Sequence, residues 1–191
     1  MSEVPPPSPE QQPQQPQPQQ PPATPPATPG VPRPGELLDR FLARLIDGII
    51  LGVAFFILSS IFNGIFVSGL TTSVAEYVVY ALFTYIIWTA LVIGYFAFME
   101  TSRGQSLGKM ALKLRTVGPD GGNPTMEQSV RRNSFYAIQL ISIIPVLGWV
   151  LGPILSLVAV IMIAVGINND TVNRQGWHDR FAGGTKVLKV G

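Results

Sequence analysis

Two long apolar stretches decide the fold. LIDGIILGVAFFILSSIFNGIFV (residues 45–67) carries one charge, Asp47, and YVVYALFTYIIWTALVIGYFAFM (residues 77–99) carries none. Each contains 23 residues, more than the ~20 that an α-helix needs to cross a hydrocarbon core of ~30 Å. Buried helices of soluble domains rarely run this far without a charge. The sequence therefore predicts two transmembrane helices in an integral membrane protein.

A third stretch without charge, residues 135–167, is too long for one membrane crossing and somewhat short for two. It is interrupted by PVLG (residues 145–148) and then by Gly152 and Pro153, and such residues end or kink helices. A capping box that begins at Thr125 predicts a helix start just upstream. We therefore expect two helices, near residues 126–144 and 149–167. A short or re-entrant hairpin is the alternative for these two elements.

The basic residues are unevenly distributed along the chain, although the formal net charge is only +2. The 13 Lys and Arg residues are Arg33, Arg40, Arg44, Arg103, Lys109, Lys113, Arg115, Arg131, Arg132, Arg174, Arg180, Lys186 and Lys189. None lies between the first two apolar stretches. The positive-inside rule then places both termini and the loop between the second and third stretches in the cytoplasm. An even number of crossings satisfies this rule, so we predict an all-α membrane domain with four transmembrane helices.

The N-terminal segment differs from the rest of the chain. Of the 18 prolines, 14 fall within the first 34 residues, mostly beside glutamine. Such a segment has too little apolar surface to offset the entropy of ordering it, so we predict a disordered cytoplasmic tail over residues 1–35 and a transmembrane domain over residues 36–191. The tail lacks the basic start and apolar stretch of a secretory signal peptide. Both a solvated spacer and a docking segment for a soluble partner fit its composition.

Composition excludes several kinds of chemistry. The chain has no cysteine and one histidine, His178, so disulfides, thiolate metal sites and multi-histidine zinc sites are ruled out. A serine elbow, the strand-to-helix turn that carries the nucleophilic serine of many hydrolases, is absent. His178 and Asp179 are adjacent in sequence, and adjacent side chains seldom face each other as a catalytic base and the group that orients it. We therefore expect a protein that is not an enzyme and that binds neither a metal nor a cofactor.

A polar cluster is expected at the cytoplasmic end of the first helix. Arg44 and Asp47 are three residues apart and project from one side of the helix, with Arg40 one turn before them. An ionised aspartate at the edge of the hydrocarbon is costly, and a neighbouring guanidinium lowers that cost. Asp179 would complete the cluster if the two acids shared Arg44, and His178 would then make it sensitive to pH. An ion or anion site and a purely structural ion pair both fit this pattern.

The basic loop TSRGQSLGKMALKLRTV (residues 101–117) follows the second apolar stretch. Its glycine spacing is not that of a phosphate-binding loop, and no Ser or Thr follows Lys109. Strand periodicity and a short amphipathic helix on the bilayer surface both fit its apolar residues. We expect this cationic segment to bind anionic lipid, with Gln105 and Lys109 as auxiliary residues of the cluster. Arg131 and Arg132, further along, are expected to snorkel to the headgroups.

Three segments together resemble the RDD family of bacterial membrane proteins, which is named for one arginine and two aspartates. They are RLID with Arg44 and Asp47, RGQSLGKMALKLRTV (residues 103–117), and HDRFAGGTKV with Asp179. The resemblance covers about residues 36–191 and implies a bacterial cytoplasmic-membrane protein. Cation/proton antiport has been associated with a member of this family. The proline-rich tail lies outside the resemblance and is similar to extensions of some actinobacterial proteins.

Two functional hypotheses follow. The first is a transport-related protein that moves an ion or small solute, for example by cation/proton exchange, with Arg44, Asp47 and Asp179 in the path. Four helices leave little room for a polar pathway, so this hypothesis favours a homo-oligomer. The second is a non-catalytic membrane scaffold that binds anionic lipid and recruits a soluble partner through its tail. Neither hypothesis involves nucleic acid.

Overall fold

A computed structural model describes Met1 and residues 31–66 and 73–191. Within these residues it contains six α-helices, one 3-10 helix and three short strands. In chain order they are β1 (Arg33–Pro34), α1 (Leu37–Phe66), α2 (Val74–Arg103), α3 (Leu107–Ala111), β2 (Leu114–Val117), α4 (Met126–Asn133), the 3-10 helix (Ser134–Ile143), α5 (Leu147–Asn169), α6 (Trp177–Phe181) and β3 (Lys186–Lys189). The disorder predicted for the N-terminal tail falls almost entirely on residues outside the described ones.

Three of the described helices are long and apolar enough to cross a membrane. They comprise Leu37–Ile61 of α1, all of α2, and all of α5. The two transmembrane helices predicted from the first two apolar stretches are therefore present at the expected places. The side of each helix that faces away from the protein is apolar, as a lipid-facing surface requires. α2 ends at Gly104, whose positive φ of 70° allows its N–H to bond to the carbonyl of Glu100.

The prediction of four membrane-spanning α-helices is not confirmed. The α-helix expected over residues 126–144 stops at Asn133, and Ser134–Ile143 forms a 3-10 helix instead. Ten residues at a rise of about 2.0 Å extend about 20 Å, which is less than the ~30 Å of a hydrocarbon core. The 3-10 helix packs along α5. The two elements form a hairpin in which α5, but not the 3-10 helix, is long enough to cross a membrane.

The 3-10 geometry satisfies polar side chains that an apolar environment would otherwise leave without partners. Side chains three residues apart lie in one row on a 3-10 helix, and Gln139 and Ser142 are in such a row facing α5. Gln139 Nε2 donates to Ser156 Oγ at 2.9 Å, and Ser142 Oγ donates to the carbonyl of Gly148 at 3.4 Å. Because a buried polar group without a hydrogen bond is costly, this row stabilises the hairpin.

The hairpin turn brings two backbone segments into close contact. Leu147 N donates to the carbonyl of Pro145 at 2.7 Å, and Val146 between them has φ 62° and ψ −64°, so the tip is a classic γ-turn. Immediately after it, α5 approaches the 3-10 helix so closely that a Cβ added to Gly148 would lie 2.0 Å from the carbonyl oxygen of Ile141. A side chain at this position would force the two elements apart.

A polar layer of short elements covers one end of the helices. β1, β3 and β2 form a three-stranded antiparallel sheet in that order. The basic loop, for which strand and helix were both open, forms α3 and then β2. Arg33 and Pro34 pair with Lys189 and Leu188, so the last residues assigned to the tail already belong to the sheet. The strand from the N-terminal side and the C-terminal strand therefore lie next to each other.

Gly148→Ala should destabilise the protein by about 2–4 kcal/mol, because the new methyl group collides with backbone that cannot move without opening the hairpin. Gly52→Ala is the matched control, since nothing lies within 4 Å of its Cβ position and alanine is the better helix former. The measurement is the melting temperature of each variant in a mild detergent. Equal melting temperatures for the two variants would contradict the close packing of the hairpin.

Candidate functional site: an ionic cluster at the helix ends

Charged side chains are buried where the polar layer meets the ends of α1 and α2. This ionic cluster consists of Arg40, Arg44 and Asp47 from α1, Glu100 from α2, Lys109 from α3, Arg132 from α4 and Asp179 from α6. All are buried except Arg44, which is half-buried. Isolated buried charges are strongly unfavourable, so these groups are expected to neutralise one another.

Asp179 lies between two guanidinium groups. Arg40 Nη1 donates to Asp179 Oδ2 at 3.1 Å, and Arg132 Nε donates to Oδ1 at 2.7 Å. The backbone N–H of Gly176 adds a third bond, at 3.1 Å, which caps the start of α6. Burial alone would raise the pKa of Asp179, but the nearby positive charges outweigh burial and lower the pKa below its usual value. The carboxylate is therefore ionised and held by cations from α1 and α4.

Glu100 is the second acid at the centre of the cluster. It accepts hydrogen bonds from Lys109 Nζ, from Arg132 Nη1 at 3.0 Å and from Asn133 Nδ2 at 3.3 Å. Arg132 therefore bonds to both acids, and Asp179 and Glu100 together raise its pKa against the effect of burial. Thr116 Oγ1 accepts from Lys109 Nζ at 2.7 Å and from Arg132 Nη1 at 3.0 Å. The cluster thus ties α2, α3, α4, α6 and β2 together.

Lys109, predicted as an auxiliary residue, lies inside the cluster. Its side chain is buried, and α3 positions it because Ser106 caps that helix. Burial lowers the pKa of Lys109 to about 7. The negative charge of Glu100 raises this pKa but only partly offsets burial, and the nearby arginines lower it further. Burial and the ion pair with Glu100 therefore act on this lysine in opposite directions.

Asp47 is bound by neutral donors. It accepts from Ser106 Oγ at 2.6 Å, from the backbone N–H of Gly108 at 2.8 Å and from Tyr95 OH at 2.8 Å. Within the described residues it forms no ion pair. Three donors from α2 and α3 suffice to hold a buried carboxylate. Asp47 therefore fixes the start of α3 against α1.

Arg44 does not hold the two aspartates together. Its Nη2 donates to Asn133 Oδ1 at 2.8 Å, and its guanidinium carbon lies 3.9 Å from the centre of the Phe96 ring. The sequence pattern places Arg44 and Asp47 on one side of α1, but the side chain of Arg44 turns toward α2 and α4. Asp179 is instead bound by Arg40 and by an arginine of α4.

His178 is buried beside Asp179, with Nε2 3.6 Å from Asp179 Oδ1 and its ring edge-on to Phe135. Burial and the neighbouring arginines lower the pKa of His178 to about 3, despite the opposing effect of Asp179. It is neutral at physiological pH and therefore adds no charge to the ionic cluster there. Gln105 lies outside the ionic cluster and donates to the carbonyl of Leu114 at 2.8 Å, which joins the start of the basic loop to β2.

Sequence reasoning missed Glu100 and misplaced Arg132. Arg131 is exposed and pairs with Glu127, as a surface residue does, whereas Arg132 is buried and does not snorkel. Ser129, Arg132 and Asn133 lie on one side of α4 and are all buried. A polar face of this kind resembles a solvent-facing one in sequence, so the pattern gave no indication of its burial. Glu100 directly follows the second apolar stretch. An acid at the end of a transmembrane helix usually pairs with another group, and this position could have identified Glu100 as a member of the cluster.

Family and sequence comparisons place this site within a known group. The sequence model of the RDD family matches residues 34–183. This chain belongs to the RDD family. The match contains the whole ionic cluster and confirms the resemblance seen in the sequence, while nearly all of the proline-rich tail lies outside it.

A relative of this RDD protein is "Uncharacterized protein YxaI" of Bacillus subtilis (strain 168). It is 29% identical over an alignment of 130 residues, which covers 62% of this chain and 85% of the relative. No solved structure matches the chain. Among the residues that the structure describes, no group of three or more His, Cys, Asp or Glu side chains is arranged to hold a metal ion.

His178 should make stability depend on pH. Below about pH 6.5 the unfolded chain protonates this residue, whereas the folded protein does not until about pH 3. Folding stability should therefore fall with decreasing pH, by about 2 kcal/mol between pH 7.5 and 5. His178→Gln should flatten this dependence in denaturant unfolding measured in detergent across that range. Lys109 and Asp179 are common to both proteins, so parallel curves for wild type and variant would refute the assignment.

Proposed function

We propose that this RDD protein is a non-catalytic membrane scaffold. In this proposal the ionic cluster holds the polar layer on the helix ends, basic surface residues bind anionic lipid, and the proline-rich tail recruits a soluble partner. The observation that carries it is that Asp47 and Asp179, the acids expected to bind a moving ion, are fully occupied by internal hydrogen bonds and ion pairs.

The position of the acids supports the scaffold over an ion pathway. An ion that crosses a membrane usually binds acids or unwound helices near the midplane. Three of the four acids in the described spanning helices lie toward the helix ends: Asp39 in the first turn of α1, Glu76 in the first turn of α2, and Glu100 near the end of α2. The fourth, Asp47, lies further inside α1, but three internal donors already bind it. This arrangement suits anchoring of the helices better than conduction.

The surface of the polar layer is suited to an anionic lipid bilayer. Its exposed cations are Arg103, Lys113, Arg115, Arg131 and Arg180. Leu107 and Phe181, on the two short helices of the layer, expose apolar side chains. Juxtamembrane cations add about 1 kcal/mol each on an anionic membrane, and neighbouring apolar side chains can insert at the interface.

The same cations support an orientation in the bacterial cytoplasmic membrane. By the positive-inside rule the polar layer faces the cytoplasm. Both termini then lie there as well, since β1 and β3 belong to one sheet. The hairpin of the 3-10 helix and α5 begins and ends at this layer, so the rule is satisfied without four complete crossings.

The scaffold proposal predicts that the tail determines which soluble proteins bind. A variant that lacks residues 2–30 should lose at least one partner that cross-links to the full-length protein in its native membrane, as measured by affinity purification and mass spectrometry. A variant with a tail of equal length in which serine replaces each proline is the matched control, and it separates recognition of the proline pattern from mere length. Retention of every partner by the deletion variant would contradict the proposal.

Transport of an ion or small solute, for example cation/proton exchange by a homo-oligomer, is the second candidate. The observation that favours it is the contact between buried Lys109, whose pKa is about 7, and Glu100. Loss of the Lys109 proton would free a carboxylate oxygen for a cation. Such coupling is the elementary step of an exchanger, and the polar cluster would then act as its gate.

Flux measurements separate the two candidates. Proteoliposomes that contain the wild type should show no sodium or potassium flux driven by a pH gradient if the protein is a scaffold. Flux in the wild type that disappears in Lys109→Arg, which keeps the charge but not the pKa near 7, would establish transport instead. Arg103→Gln is the control, because Arg103 is exposed and lies outside the cluster.

A further inference from the structure

Arg44 has hydrogen-bonding capacity that the described residues leave unused. Its Nη1 atom is buried and has no hydrogen-bond partner there, while Nη2 donates to Asn133. The ring of Phe96 contacts one face of the guanidinium. Stacking of this kind stabilises the charge but leaves the N–H groups, which lie in the guanidinium plane, without acceptors. The Nη1 edge therefore needs an acceptor from elsewhere.

The cluster offers no carboxylate to Arg44. Glu100 is bound by Lys109 and an arginine of α4, and Asp179 is bound by two other arginines. Asp47 is occupied by neutral donors. Four cationic side chains, at positions 40, 44, 109 and 132, thus face three acidic ones, at positions 47, 100 and 179. The cluster is short of one negative charge, and the cation without an acidic partner is Arg44.

The surroundings of Arg44 indicate the kind of anion that fits. Arg44 lies in the second turn of α1, inside the spanning segment Leu37–Ile61 and near its end at the polar layer. Phe41 and Leu45 flank it on α1 and expose 59% and 48% of their surfaces, as lipid-facing side chains do. Arg44 itself is only half-buried. An anion with an attached hydrocarbon chain can therefore approach Arg44 from the bilayer, and a shift of neighbouring side chains would bring it to the buried Nη1 atom.

We propose that Arg44 binds the phosphate of an anionic phospholipid at the junction of α1, α2 and the 3-10 helix. A guanidinium presents paired N–H donors in the geometry that phosphate oxygens accept. The acyl chains would lie along the apolar surface beside Phe41 and Leu45. This site goes beyond the proposed scaffold function, in which exposed cations attract lipid without a fixed position. It also supplies the negative charge that the ionic cluster lacks.

The experiment compares the wild type, Arg44→Gln and Arg33→Gln as full-length proteins in a non-ionic detergent. Melting temperatures are measured with phosphatidylglycerol, with phosphatidylcholine and with inorganic phosphate. Phosphatidylglycerol at about 100 times its Kd should raise the melting temperature of the wild type by about 5–10 °C. Arg33→Gln should keep this shift, because Arg33 pairs with Glu36 and lies outside both the ionic cluster and the exposed cations assigned to lipid binding, and Arg44→Gln should lose it.

The lipid-free measurement distinguishes a binding site from a structural residue. Arg44→Gln should melt at or above the wild-type temperature without lipid, because the substitution removes a buried charge that has no acidic partner. A variant that folds less stably than the wild type without lipid, and still gains the full shift from phosphatidylglycerol, would overturn the proposal. Equal stabilisation by inorganic phosphate would assign the site to a free anion and refute the lipid.

Arg44→Lys keeps the test decisive if the glutamine variant does not fold. Lysine retains the positive charge, but its ammonium group lacks the two parallel N–H donors with which a planar guanidinium binds phosphate. The phosphatidylglycerol that remains bound during purification, counted by native mass spectrometry, should fall severalfold relative to the wild type. Unchanged retention in this variant would count against the site. Neither the melting temperature nor the count of bound lipid depends on the tail or its partners. The lipid site and the scaffold proposal can therefore fail independently of each other.

Discussion

The bonds of Arg132 to two acids are the interaction on which the rest of the structure depends. Its Nε binds Asp179 of α6 at 2.7 Å, and its Nη1 binds Glu100 of α2 at 3.0 Å. A planar guanidinium suits this role because its donors point in fixed directions. Loss of one partner from a buried ion pair typically costs 3–5 kcal/mol, since the other charge stays buried without compensation. One side chain thus joins a membrane helix to the C-terminal segment through α4.

Sequence alone predicted the parts of the fold that depend on local composition. α1 and α2 were found because hydrophobic length is a property of a continuous stretch, and the burial of Asp47 followed from its position inside such a stretch. The partners of Asp179 could not be found in this way. Arg40 and Arg132 lie 139 and 47 residues from it. Only the folded chain selects them over Arg44, which is one helical turn from Arg40 on α1.

The hairpin shows a second limit of sequence patterns. Apolar residues on every side of a segment carry no helical period, so the sequence could not distinguish an α-helix from a 3-10 helix over Ser134–Ile143. The polar residues indicate which face meets α5 but not the helix type. Gln139 and Ser142 are three residues apart and both bond to α5, but this spacing places side chains on one face of an α-helix as well as of a 3-10 helix. Gly148 then allows the close approach that this geometry requires.

The charge balance of the cluster links its two unusual residues. With Lys109 protonated, cations exceed acids by one, and Arg44 is the cation without an acidic partner. Loss of the Lys109 proton restores the balance. An anion bound at Arg44 has the same electrostatic effect and would therefore favour the protonated form of Lys109. Binding and protonation are then linked, each strengthening the other by the same free energy. A lipid bound at Arg44 would therefore keep Lys109 protonated and ion-paired with Glu100. The lipid that anchors a scaffold would in this way also suppress the proton exchange that a transporter needs.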